Sequence, residues 1–211
     1  MQFGLFEDRP NYFATLGDLV AAMMKLEDDP LFPAGTNMVI YRGNPQAKLM
    51  IIGEAPGTEE DRQGKPFVGR SGQLLDQILA SVSLDPERDV FITNAVFRLP
   101  PGDDGKPLRK PTSDEIAYYK PYLMEIIRLV DPKIMLLTGN VATESLLGQT
   151  GITRLRGQWF RVGERWAMPI FHPAYLLRNP SREPGSPKAL MWADIKEARR
   201  KYDEIMAGDQ G

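Results

Sequence analysis

The sequence predicts an α/β protein, a three-layer α/β/α sandwich around a central, mostly parallel four-stranded sheet. Three observations carry that prediction. Short apolar runs bounded by turn residues alternate with stretches whose apolar residues recur every three or four positions. Strands that alternate with helices favour a parallel sheet covered on both faces. A chain of 211 residues with 42% hydrophobic content also suffices for one well-buried core. No repeat, low-complexity tract or linker interrupts the pattern, so residues 1–211 read as a single domain.

In chain order, Phe13, Leu16, Leu19, Val20, Met23 and Met24 share one face of a helix expected over 12–26, closed by Pro30, Pro33 and Gly35. Residues 48–53, with Leu49-Met-Ile-Ile52 at their centre, read as a buried strand. A long loop and a helix over 71–82 follow, with Leu74, Leu75, Ile78 and Leu79 on one side. A second strand is expected at 90–96. After it come a Gly/Pro-rich loop at 100–111 and a helix opened by the capping pattern Thr112-Ser-Asp-Glu115. Strands at 133–137 and 168–171 flank a helix near 141–147, and a charged helix runs from 187 or 188 to 206.

The formal charge of −2 gives no general attraction for polyanions, so a nucleic-acid partner would need a local basic patch. The absence of cysteine excludes disulfides, thiolate catalysis and cysteine-held zinc or iron–sulfur groups. The longest apolar run, 48–53, is too short to span a bilayer, and the N-terminus has no basic segment followed by an apolar stretch. A cytoplasmic monomer with no membrane partner is expected.

In open parallel sheets, ligands bind beyond the carboxyl ends of the strands. Here those ends deliver Gly53-Glu-Ala-Pro-Gly57, then Asn94, then His172-Pro-Ala-Tyr-Leu-Leu-Arg178. Singly, a tight turn, a strand-end cap and a structural histidine would explain them. Their common sheet edge makes them a candidate site.

The segment from Gly53 to Asp76, which includes Lys65-Pro-Phe-Val-Gly69, resembles the long first motif of family 4 uracil-DNA glycosylases. Ile92-Thr-Asn94, Pro100-Pro-Gly102, Pro121-Tyr-Leu123, Arg154-Leu-Arg-Gly157 and His172-Pro-Ala-Tyr-Leu-Leu-Arg178 follow in the family's order, over roughly residues 26–197. The resemblance implies a monofunctional glycosylase that extrudes uracil from single- or double-stranded DNA and cleaves its glycosidic bond. Glu54, Asn94 and His172 are then the catalytic candidates. Asn94 offers both a donor and an acceptor to uracil O4 and N3–H, which cytosine cannot reciprocate. His172 donates to uracil O2 as negative charge develops there. Phe67 is the stacking ring or an ordinary core residue, and Gly53, Ala55 and Gly57 shape the base-binding turn. Ala55 stands where family 1 has an aspartate, which leaves Glu54 to position water or support the sugar cation, or else to cap nearby amides. Gly57 replaces the family 1 tyrosine that blocks the thymine methyl group. Glu60 takes over that exclusion, or else joins Glu59 and Asp61 in a solvated acidic helix start. Leu176 matches the residue that wedges into the gap left by the base, with Leu177, or a core role, as alternatives. Arg154, Arg156 and Arg178, with Arg182 and Lys188, form a phosphate-contacting rim or ordinary surface charge.

The family holds an iron–sulfur cluster through four cysteines, and the corresponding positions fall near Leu26, Asp29, Arg98 and Tyr119. None offers a thiolate, so no cluster, metal or other cofactor is expected. An Asp29–Arg98 ion pair, with Tyr119 filling volume, is the expected replacement. Two other readings stand beside the main one: a weak or inactive DNA-binding module of the same fold, and a glycosylase for another deaminated base. A phosphate-loop enzyme ranks behind both, because Gly53 to Gly57 lacks the Gly-Lys-Ser/Thr ending and the Gly-x-Gly-x-x-Gly spacing.

Overall fold

The computed structural model describes residues 13–102 and 108–208. Strands β1 (Tyr41–Gly43), β2 (Leu49–Gly53), β3 (Val90–Asn94), β4 (Ile134–Thr138), β5 (Phe160–Val162) and β6 (Arg165–Ile170) form one sheet in the order β1-β3-β2-β4-β6-β5. The four inner strands run parallel and are the four that the sequence predicts. β1 and β5 add antiparallel edges, so the sheet has six strands rather than four. The edge strands escape a periodicity reading because each has three residues, too few to establish alternation.

Every residue of β2, β3 and β4 is buried, as expected for parallel strands covered on both faces. Alternation along each strand divides the interior in two. Met50, Ile52, Phe91, Met135 and Leu137 face one layer, and Leu49, Ile51, Val90, Ile92, Ile134 and Leu136 face the other. The first layer is closed by α1 (Leu16–Met23), by α4 (Ser113–Val130) and by α5 (Gly139–Leu147); the second by α3 (Arg70–Ala80) and α8 (Pro187–Gly208).

Capping explains two helix starts. Thr112 Oγ1 accepts the Glu115 N–H at 3.2 Å while the Glu115 carboxylate accepts the Thr112 N–H at 2.8 Å, which is the predicted box. A second box, Thr15 with Asp18, starts α1 later than the expected 12–26 helix. Tyr12 lies outside the described residues, as do 103–107 of the 100–111 loop and both ends of the 1–211 domain span. Strand β3 stops at Asn94, short of the expected 96, and β6 begins at Arg165, earlier than 168.

Three short helices appear where the sequence reads as loop: α2 (Thr58–Gln63), α6 (Ile152–Leu155) and α7 (Pro173–Arg178). None exceeds six residues, below the length at which helical periodicity shows. α2 and α7 both stand over the carboxyl ends of the sheet.

Candidate functional site

The carboxyl ends of β2, β3, β4 and β6 open into a cavity of about 670 Å³. From β2 and the chain after it come Glu54, Ala55, Gly57, Glu60 and Phe67; from β3 comes Asn94; from α7 come His172 and Arg178. Gly53 lies beneath them, paired in register with Asn94. A Cβ on Gly53 would collide with Asn94 Oδ1 and would stand 2.5 Å from Phe67 Cε2, so glycine permits the approach of those two side chains.

Phe67 has a left-handed backbone, with φ 54°, which costs about 1–2 kcal/mol in an L-residue. Arg42 of β1 holds it there. Its Nε donates to the Pro66 carbonyl at 3.0 Å and its Nη2 to the Phe67 carbonyl at 3.2 Å. The guanidinium is itself fixed by Asp76 of α3 at 2.5 Å and by Glu87 at 2.7 Å. Gly72 supplies the clearance, since a Cβ there would lie 2.7 Å from Phe67 Cα. Arg42 is not among the residues that the sequence singles out; its one signal is a charged residue directly after the apolar run Met38-Val-Ile-Tyr41.

His172 caps α7: its Nδ1 accepts the Ala174 N–H at 3.1 Å. That bond fixes the tautomer and leaves the proton of the neutral ring on Nε2. Burial, helped by the nearby Arg178 cation, pushes the pKa down to about 4. The imidazole is therefore neutral at physiological pH. It lies beside the Phe67 ring, with centroids 5.9 Å apart and planes 26° apart.

Burial raises the pKa of the Glu54 carboxyl, and the positive charge of Lys110 offsets part of that rise. Lys110 lines the cavity and is a second residue that sequence reading missed. The acidic run on α2 divides its labour. Glu60 Oε1 accepts the Val68 and Gly69 N–H groups at 3.0 and 2.8 Å, and its Oε2 fills the space over Gly57. Glu59 pairs with Arg62, and Asp61 accepts the Asn37 N–H at 2.6 Å. The first turn of α5, directly after β4 and not singled out from sequence, contributes Asn140, which lines the cavity and whose Oδ1 accepts the Gly151 and Ile152 N–H groups.

Two expected DNA contacts are corrected. Leu176 is 2% exposed and packs in the layer with α3 and α8, because the helical turn of α7 aims it inward; Leu177 (38%) and Tyr175 (37%) project instead. Arg156 is engaged by buried Asp194, with Nε 2.6 Å from Oδ2, and lies over the Phe171 ring. Of the remaining arginines Arg154 and Arg178 are exposed, and Arg178 alone of the two lines the cavity.

At the positions matching the family's cluster cysteines, Arg98 Nε donates to Asp29 Oδ2 at 2.7 Å, the Tyr119 hydroxyl donates to Asp29 Oδ1, and Arg98 Nη1 donates to the Thr36 carbonyl. The expected ion pair is present, and Tyr119 is hydrogen-bonded as well as filling volume. Burial and the adjacent Asp29 carboxylate raise the Tyr119 pKa far above its ordinary value, so it remains a donor. These residues do not fit a cluster held by thiolates. Among the described residues no three His, Cys, Asp or Glu side chains are grouped to hold a metal, and no helix is long and apolar enough to cross a membrane.

Comparison with known proteins adds the following. A family model described as the uracil DNA glycosylase superfamily matches residues 40–196. The chain is 35% identical over 175 residues to the type-4 uracil-DNA glycosylase of Thermotoga maritima, covering 81% of this chain and 85% of that protein. It is 40% identical over 156 residues to the type-4 enzyme of Sulfurisphaera tokodaii, covering 69% and 68%. With the type-4 enzyme of Archaeoglobus fulgidus it shares 35% identity over 176 residues, 79% of this chain and 85% of that one.

Proposed function

The chain belongs to the uracil DNA glycosylase superfamily, and we propose that the cavity hydrolyses the N-glycosidic bond of uracil in DNA, leaving an abasic site. One observation carries this reading. A neutral histidine with its Nε2–H free of the capping bond, a buried asparagine amide and an aromatic ring converge at one strand-end pocket.

The target nucleotide leaves the stack and its base enters the cavity, where Phe67 packs on its face and Asn94 pairs with O4 and N3–H. As the C1′–N1 bond breaks, its electron pair goes to uracil and positive charge grows on the sugar. His172 Nε2–H donates to uracil O2, in a site where a preoriented donor acts without reorganisation. A neutral donor suits the task because it stabilises the uracil anion without delivering its proton. Water then adds to C1′; Glu54 orients it, accepts its proton and, while ionised, faces the sugar cation. Glu60, pinned by Val68 and Gly69, stands over Gly57 and closes the place where a thymine methyl group would lie. Leu177 enters the gap left by the base, and Arg154, Arg178 and Lys110 meet phosphates.

With Arg98 and Tyr119 both bonded to Asp29, the enzyme works without an iron–sulfur cluster or metal. It acts as a monomer in the cytoplasm.

The test uses otherwise identical oligonucleotides carrying U, T, hypoxanthine or xanthine, single- and double-stranded, cleaved by alkali after incubation. Cleavage at U and none at T is expected. Cleavage at hypoxanthine or xanthine alone would assign another deaminated base, and DNA binding without cleavage would make the protein a binding module.

A further inference from the structure

Trp192 lies on α8, 44% exposed, at the edge of a second, mostly apolar cavity of about 140 Å³. Leu176 of α7 lines this cavity, while Ala174, Tyr175 and Arg178 of the same helix line the catalytic pocket. Along α8 the residues one turn before and after Trp192 are Lys188 and Lys196, and Arg182 lines the same cavity. The cations of α8 that form ion pairs are Arg199, Arg200 and Lys201; among the described residues Arg182, Lys188 and Lys196 form none.

We propose that Trp192 and these three cations form a subsite for single-stranded DNA, in which a base flanking the extruded nucleotide stacks on the indole and the adjoining phosphates meet Arg182, Lys188 and Lys196. The identity of the strand rests on the glycosylase reading. The chemistry is what such a strand requires: an aromatic face, tolerant of sequence, beside a basic track that follows the backbone. Charge complementarity favours DNA over an apolar protein segment, because the molecule as a whole is negative while the charged residues that line this cavity, Arg182 and Lys188, are both cations. Lys196 Nζ sits 5.2 Å from the Trp192 ring centre. An exposed cation–π contact is weaker than a base–aromatic stack, so the base displaces the ammonium, which is then free for a phosphate.

The experiment measures affinity for a uracil-free single-stranded oligonucleotide as a function of salt, and single-turnover excision from its uracil-containing counterpart. Trp192→Ala is expected to weaken binding ~5- to 140-fold, the loss that corresponds to one stacked base, with the salt slope unchanged. Lys188→Gln/Lys196→Gln is expected to lower the slope of log K against log salt by about 1.4, or ~0.7 for each phosphate left without its cation. Trp192→Ala should keep the wild-type rate at saturating enzyme, because Trp192 does not line the catalytic pocket. Unchanged affinity and slope would overturn the proposal. So would a concentration-dependent dimer that Trp192→Ala dissolves while DNA affinity stays constant, which would assign the face to a second copy of the chain. Absence of excision in the wild type would count against the glycosylase reading, whereas wild-type excision with unaltered Trp192→Ala binding would count against the subsite alone.

Discussion

His172 concentrates the chemistry of the site in one side chain whose two nitrogens are already committed to different tasks. Nδ1 caps α7, so Nε2–H is the ring's donor, and in the proposed mechanism replacement by Ala removes an interaction realised mainly in the transition state. Single-turnover excision should fall on the order of 10²–10³-fold for His172→Ala and recover in part for His172→Gln. Near wild-type rates in a folded His172→Ala protein would return the residue to a purely structural role. The depressed pKa also couples the residue to stability. Between the ordinary value of 6.5 and the folded value of about 4, the unfolded chain binds the proton and the folded one does not. The contribution of His172 is therefore complete above pH 6.5 and is lost as pH falls towards 4. Thermal melts of wild type and His172→Gln over this range should converge at the acid end. Its position was legible in sequence, as the single histidine at a strand end. The cap was not, because a bond from a backbone N–H to a ring nitrogen two residues away has no pattern of its own.

At the scale of elements, the Phe67 ring is set by an edge strand that periodicity cannot see. β1 carries Arg42, whose bonds to the Pro66 and Phe67 carbonyls and to Asp76 join β1, the Phe67 loop and α3. Arg42→Ala leaves two carbonyls without their charged donor, a loss of about 1.5–3 kcal/mol per charged hydrogen bond at most, reduced here because Asp76 and Glu87 are partly solvated. If Arg42 acts through Phe67, its effect on excision should nearly vanish in a Phe67→Ala background, while its effect on the melting temperature persists. Additive losses in excision would show that Arg42 affects stability alone. The inner strands were readable because burial on both faces makes them unbroken apolar runs. The three-residue edges and short helices were not, since they depend on tertiary contacts such as the Glu60 bonds to Val68 and Gly69. The helical setting of α7 likewise decides that Leu177 projects and Leu176 does not.

For the molecule as a whole, the network of Asp29, Arg98 and Tyr119 ties the segment after α1 to β3's exit and to α4. Asp29 and Arg98 are 0% and 8% exposed at the side chain, so Asp29→Ala would strand a buried guanidinium and should cost ~3–5 kcal/mol, read as a lower melting temperature. The purified protein should contain no stoichiometric iron by elemental analysis and should retain excision in the presence of a chelator. The sequence exposed the missing thiolates and the Asp29–Arg98 pairing, but not the Tyr119 bond, which requires knowing that α4 passes beside the 24–35 loop. Likewise, Glu54, Phe67, Asn94 and His172, which line one cavity, come from the ends of three separate strands or the chain after them, and parallel topology is what brings them together. The most direct measurement compares Asn94→Asp with wild type in two assays: single-turnover uracil excision from a U·G duplex, and affinity for the same duplex without uracil. Excision is expected to fall on the order of 10²-fold or more, with affinity nearly unchanged, because the proposed role of Asn94 is to read the base rather than to meet a phosphate. Equal losses in both assays, or unimpaired excision, would contradict the placement of uracil recognition in this pocket.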